Sequence, residues 1–169
     1  MKTDRIYLRK FESSDLENIF KGLSHPEVIK YYGISFDTIE ATKEQMTWFR
    51  DLEKNNTGKW WAVCSLKDDR FLGAGGLNDL CQEKKKAELG FWLLPENWRK
   101  GIMTETIPLI LNYAFKTLKL KKIEGVIKPE NINCKNAIEK LNFKFQKTLL
   151  EEDKHGKKTS WDVYTLTNS

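Results

Sequence analysis

The residues with the clearest chemical meaning lie in one run: Gly90-Phe91-Trp92-Leu93-Leu94-Pro95-Glu96-Asn97-Trp98-Arg99-Lys100-Gly101-Ile102-Met103-Thr104-Glu105. An apolar strand stops at a proline, a short basic loop turns through a glycine, and an amphipathic helix begins at once. Such a junction leaves backbone N–H groups at the positive end of a helix dipole, which attracts anions. Arg99 and Lys100 stand beside it, so a phosphate is the expected anion. The loop lacks the Gly-Lys-Ser/Thr ending of a P-loop and the spaced glycines of a dinucleotide fold. It predicts a phosphate cradle of another kind. A plainer reading leaves Gly101 only the task of turning a strand into a helix.

The elements that must position this loop follow from hydrophobic periodicity. Residues 5–9 alternate like a half-buried strand. Ser14-Asp15-Leu16-Glu17 carries a capping-box pattern and opens a short helix that ends at Leu23. Pro26 starts another helical piece with Val28, Ile29 and Tyr32, and a longer helix spans about 37–52. Strands at 60–66 and 70–77 flank Lys67-Asp68-Asp69 as a hairpin would, and 87–94 follows as a third. After Gly101, the residues Ile107, Ile110, Leu111, Ala114, Phe115 and Leu118 form one buried stripe, with Pro108 a place where that helix can bend. A strand at 123–127 after this helix predicts a parallel strand pair. A helix at 131–141 turns Cys134, Ala137, Ile138 and Leu141 inward, and Asn142 suits a left-handed helix end. Strands at 143–150 and 160–166 close the chain. The expected architecture is one α/β (α+β) domain over residues 1–169.

Composition narrows the function classes. The chain is 40% hydrophobic and 31% charged, which fits an ordinary globular protein with a sizeable core. Three cysteines without metal-ligand spacing predict reduced thiols in the cytoplasm and no metal site. No signal peptide or membrane span is legible, so no membrane role is expected. The net charge of +5 sits in separate clusters such as Lys84-Lys85-Lys86 and Lys154 to Lys158. Without a recognised RNA-binding motif, these predict no nucleic-acid partner.

With the strand, the basic glycine loop and the Asn131 helix in order, the chain resembles the GNAT acetyltransferase superfamily. Within it, the chain is most similar to the branch of ribosomal-protein N-terminal acetyltransferases typified by RimJ and RimL. Leu8-Arg9 with Asp15-Leu16, then His25-Pro26-Glu27-Val28 with Tyr31, follow that branch's opening. Ala87-Glu88-Leu89-Gly90-Phe91 and the run from Pro95 to Glu105 match its acetyl-CoA motif. Asn131-Ile132-Asn133-Cys134 through Glu139-Lys140-Leu141-Asn142-Phe143 matches its late motif. Arg99 and Met103 depart from the usual loop, Cys134 stands where the branch has Ser, and Asn142 where it has Gly. The resemblance implies a GNAT-like, twisted, mostly antiparallel sheet of six to seven strands with helices on both faces. Many members dimerise, which leaves a homodimer open.

The resemblance also implies a chemistry: transfer of the acetyl group of acetyl-CoA to a primary amine through a tetrahedral intermediate. Coenzyme A carries roughly four negative charges near neutral pH, which suits a helix N-terminus flanked by cations. By analogy, the N–H groups of Arg99, Lys100, Gly101, Ile102, Met103 and Thr104 hold the pyrophosphate. The backbone of Phe91, Trp92 and Leu93 pairs with the pantetheine amides as if adding a strand. Asn131 bonds the pantetheine arm or merely caps its helix. Glu88 is the candidate base, or else a surface carboxylate balancing Lys84 to Lys86. Cys134 protonates the departing thiolate or is an inert buried thiol. An α-amino group of pKa ~8 is about one-fifth neutral at pH 7.4, against about one-thousandth for a lysine, so a protein N-terminus asks least of a base. The alternatives are a small amine (amino sugar, polyamine or aminoglycoside) and a non-catalytic acyl-CoA-binding module.

Overall fold

The computed structural model describes residues 1–168. In chain order the elements are β1 (Ile6–Arg9), α1 (Leu16–Leu23), α2 (Pro26–Ile29), α3 (Ile39–Lys54), β2 (Lys59–Ser65), β3 (Phe71–Cys81), β4 (Lys86–Leu93), α4 (Ile102–Asn112), β5 (Lys122–Ile127), α5 (Ile132–Lys140), β6 (Lys144–Glu152) and β7 (Lys158–Thr167). The strands form one seven-stranded sheet in the order β1-β2-β3-β4-β5-β7-β6. Neighbours run antiparallel except β4 and β5, which are parallel. This is the mixed sheet that the sequence predicts.

Each face of the sheet carries its own core. Ile107, Ile110 and Leu111 of α4 and Ile138 of α5 pack with Val63, Leu77, Leu89 and Ile123 on one side. On the other, Ile19 and Leu23 of α1 and Phe49 and Leu52 of α3 pack with Trp60, Ala74 and Trp92. Alternation along β2 to β4 produces this division, because successive side chains point to opposite faces. Gly76 and Gly90 are a register pair on β3 and β4, and the Trp60 ring lies across both. A Cβ at either position would collide with that ring.

Local chemistry moves several boundaries. The capping box is formed by Glu12 and Asp15 around a short 3-10 turn, two residues earlier than the pattern at Ser14 to Glu17 suggests. Arg9 makes the choice: its guanidinium takes both Asp15 oxygens at 2.8 Å, which turns Asp15 back toward the Glu12 N–H. Strand β3 runs past the expected end at Leu77 to Cys81, through an irregularity between Asn78 and Cys81. The helix after Gly101 stays α-helical through Pro108 and widens into a π turn at Tyr113–Thr117, so its irregularity falls there. Asn142 has φ +69°, the left-handed end expected after α5.

Candidate active site

Strands β4 and β5 pair only over Lys86↔Lys122, Ala87↔Ile123 and Glu88↔Glu124. Beyond Glu88, β4 stays with β3 through Leu93, while β5 stays with β7 through Ile127. The two strands therefore part at Glu88 and open a cleft of about 390 Å³. Glu88, Phe91, Met103, Asn131 and Cys134 all line it.

The β4 wall offers unpaired backbone, though not at every residue named from the sequence. Leu94 N–H bonds to the Leu72 carbonyl at 2.9 Å, and the Trp92 carbonyl lies against Gly73 on β3. Residues two apart direct their backbone groups to the same side, so Trp92 is committed to the sheet while Phe91 and Leu93 face the opening. This corrects the expectation that Trp92 pairs with a ligand. The Leu93 carbonyl already accepts the Trp98 indole N–H at 3.0 Å.

The glycine loop meets α4 in the manner an anion site requires. Arg99 and Gly101 take φ of +59° and +73°, and Gly101 is the N-cap. No side chain caps the helix start; Thr104 instead donates its hydroxyl to the Gly101 carbonyl at 3.0 Å. The first N–H groups of α4, from Ile102 to Thr104, thus keep their outward hydrogen-bonding capacity. The side chains of Arg99 and Lys100 are exposed beside them. The N-terminal strand supports the loop: Arg5 donates to the Lys100 carbonyl at 3.1 Å and to Glu105 at 2.8 Å. Sequence reasoning missed Arg5, because 95 residues separate it from Lys100.

Glu88 has no cation within ion-pair reach among the described residues; Lys86 pairs with Glu124. Of the three lysines Lys84 to Lys86, Lys86 thus takes Glu124 rather than Glu88 as its partner. Burial first, then the charge of the Asp79 carboxylate and a hydrogen bond with it, push Glu88 up to about 7; a hydrogen bond from Asn78 opposes them, and Glu124 adds the smallest contribution. Tyr32 also lines the cleft, its phenol raised by burial and by the nearby Glu88 and Cys134. Nothing in its helical spacing distinguished it from a core residue.

Burial pushes the Cys134 thiol up to about 11, so it stays protonated at neutral pH. Asn131 accepts the Cys134 N–H at 3.3 Å and caps α5, leaving its amide N–H groups available at the cleft wall. Trp60 lines the cleft as well, and its buried indole N–H has no partner among the described residues.

The arrangement combines an anion-binding helix start, an unpaired strand edge, a carboxylate titrating near neutrality and a protonated thiol in one cleft. Such a set can hold a phosphate-bearing thioester and take a proton from an incoming amine. The comparisons with known proteins agree with this chemistry. Residues 5–144 match the family model described as an acetyltransferase (GNAT) domain. The chain is 31% identical over 144 residues to YoaA of Bacillus subtilis (strain 168), described as an uncharacterized N-acetyltransferase, covering 85% of this chain and 81% of that protein. Its fold is similar to a spermidine N-acetyltransferase from Vibrio cholerae in complex with CoA and spermine, with TM-score 0.84, 20% identity and coverage of 98% and 96%. It is also similar to RimL, a ribosomal L7/L12 α-N-protein acetyltransferase in complex with coenzyme A, with TM-score 0.83, 14% identity and coverage of 98% and 95%. No helix among the described residues is long and apolar enough to cross a membrane. The chain belongs to the GNAT acetyltransferase family and is an acetyl-CoA-dependent acetyltransferase.

Proposed function

We propose that this protein moves the acetyl group of acetyl-CoA to the α-amino group of a protein N-terminus, as in the RimJ/RimL-like branch. The observation that carries the reading is Glu88, a carboxylate raised to about 7 at the point where β4 and β5 part. A base of this strength matches an α-amino group of pKa ~8, which needs little help to become neutral. Glu88 takes the proton of the amine as it attacks the thioester carbonyl, directly or through one water. A lysine side chain or a polyamine nitrogen would demand a much stronger base.

The rest of the cleft supplies binding. The N–H groups from Ile102 to Thr104, with Arg99 and Lys100 beside them, hold the pyrophosphate, and Gly101 lets the backbone come close. The backbone of Phe91 and Leu93 hydrogen-bonds the pantetheine amides, and Asn131 faces the arm from α5. Cys134 and Tyr32 remain protonated and donate hydrogen bonds to the sulfur as negative charge leaves on it. Because both lie above the ordinary range of a thiol, they stabilise the thiolate without surrendering their protons. The three free cysteines suit a reducing compartment, and we place the protein in the cytoplasm.

The test is a thiol-release assay across N-terminal peptides, polyamines and amino sugars, with calorimetric titration of acetyl-CoA alongside. Saturable binding with release on peptide termini is the expected result. Release only on a polyamine or amino sugar overturns the acceptor assignment.

A further inference from the structure

The alternation along β4 separates the cleft into two compartments. Leu89 and Phe91 face α4, where the Phe91 ring packs with Ile110 over Gly75. Glu88 and Gly90 face α3, where Trp60 lies over Gly90. Pantetheine entering between the strands from the α4 loop leaves the α3 compartment to the acceptor. Around Glu88 that compartment is walled by Tyr31, Tyr32, Trp48 and Trp60, with Ile34 at the rim. Trp48 meets Trp60 edge-on, ring centroids 5.8 Å apart, and is itself only half-buried. Ile34 is 42% exposed.

Charge in the compartment is sparse. Glu88 has the Asp79 carboxylate within hydrogen-bond reach, and Glu151 is the other carboxylate among the lining residues. At the rim, Glu151 accepts the Trp161 indole N–H at 3.1 Å, while Lys128 lies 4.0 Å over the face of that same ring. The two rim charges oppose each other. Four aromatic side chains against these few carboxylates give a flat apolar group a wall of surface to cover.

Resting on the N-terminal α-amine reading above, we propose that the preferred acceptor begins with a large apolar or aromatic residue. Its side chain seats against Trp48, Trp60 and Tyr31 while its amine reaches Glu88. A small first residue such as alanine or serine leaves this wall unfilled. Each missing methylene in a fitted apolar pocket costs about tenfold or more in specificity.

The test compares hexapeptides identical except for a first residue of Ala, Ser, Leu or Phe, with spermidine as a further acceptor. The assay reads thiol release by the wild type, Trp48→Ala and Tyr31→Ala. The expected result is a kcat/KM at least about tenfold higher for Leu and Phe than for Ala and Ser. Trp48→Ala narrows that ratio to about threefold or less while calorimetric acetyl-CoA affinity stays unchanged. Should Trp48→Ala fail to bind acetyl-CoA, Tyr31→Ala, which also lines the cleft, carries the same expectation. Equal or better turnover of the Ala and Ser peptides, or a preference that survives in the folded variant, overturns the proposal. Turnover of spermidine with no peptide used overturns the N-terminal reading itself, and the two failures are thereby distinguishable.

Discussion

Glu88 and Glu124 face one another at the last paired position of β4 and β5, yet their environments diverge. Glu124 is held by Lys86 at 3.1 Å and Lys122 at 2.7 Å, and these cations keep it below the ordinary carboxylate range against its own burial. Glu88 has no such partner and is raised to about 7. Two carboxylates on adjacent strands thus take opposite roles: one neutralises lysines, and the other waits at the opening of the cleft.

This pairing predicts a pH-dependent stability. The Glu88 pKa is raised in the fold from an ordinary 4.5 to about 7, so the folded state binds more protons than the unfolded chain between those values. Stability from this group therefore falls as pH rises through that window, and the full cost is present above it. Glu88→Gln removes the cost and stabilises the protein at pH 8 by on the order of 2 kcal/mol, with little change at pH 4.5. Thermal melts of both proteins at the two pH values check this.

Gly101 is expected to be intolerant of branching. Its φ of +73° is strained for any L side chain, and a bulky group there would crowd the approach to the α4 N–H groups. Gly101→Val is predicted to cost about 1–2 kcal/mol in stability. It should weaken acetyl-CoA binding by more than the loss of fold explains, read by calorimetry well below the melting temperature.

Cys134 should prove important for rate but not indispensable. Its thiol, raised to about 11, is protonated across the working range and slow to alkylate at pH 7.5. Cys134→Ala removes one hydrogen bond to the leaving sulfur and lowers kcat by about tenfold, in keeping with a bond worth ~1.5 kcal/mol. Cys134→Ser retains most of the activity. Iodoacetamide labelling of the wild type should accelerate only above about pH 9.

The Arg9–Asp15 pair anchors the first helix to the sheet edge. Both oxygens of Asp15, itself 2% exposed, are bound by the guanidinium at 2.8 Å. Asp15→Ala leaves a partly buried cation unmatched and is predicted to destabilise by about 3 kcal/mol. Denaturant unfolding measures it, and acetyl-CoA affinity at low temperature should hold.

Much of this arrangement is legible in the sequence. The Arg99-Lys100-Gly101 loop announced itself because strand end, basic turn and helix start are contiguous, and local chemistry sets their geometry. The parallel pair followed from a strand, helix and strand in order. Three things were hidden, each for a tertiary reason. Whether Trp92 or its neighbours face the cleft depends on the phase of β4 against β3, which no spacing reveals. Arg5 supports the loop across a sheet edge far away in sequence. The raised pKa of Cys134 comes from burial, and that of Glu88 from burial with Asp79 and Glu124, all brought together only by the fold. The capping box at Glu12 and Asp15 moved for a similar reason, since Arg9 chose its carboxylate.

The role of Glu88 is the central claim, and the pH dependence of kcat/KM on an N-terminal peptide tests it most directly. The wild type should rise with pH through about 7, as Glu88 loses its proton, and continue to the amine's own pKa near 8. Glu88→Gln should lose the lower of those two steps and about 10²-fold or more in rate, with acetyl-CoA affinity intact. A Glu88→Gln enzyme with wild-type rate and an unchanged profile would contradict the account.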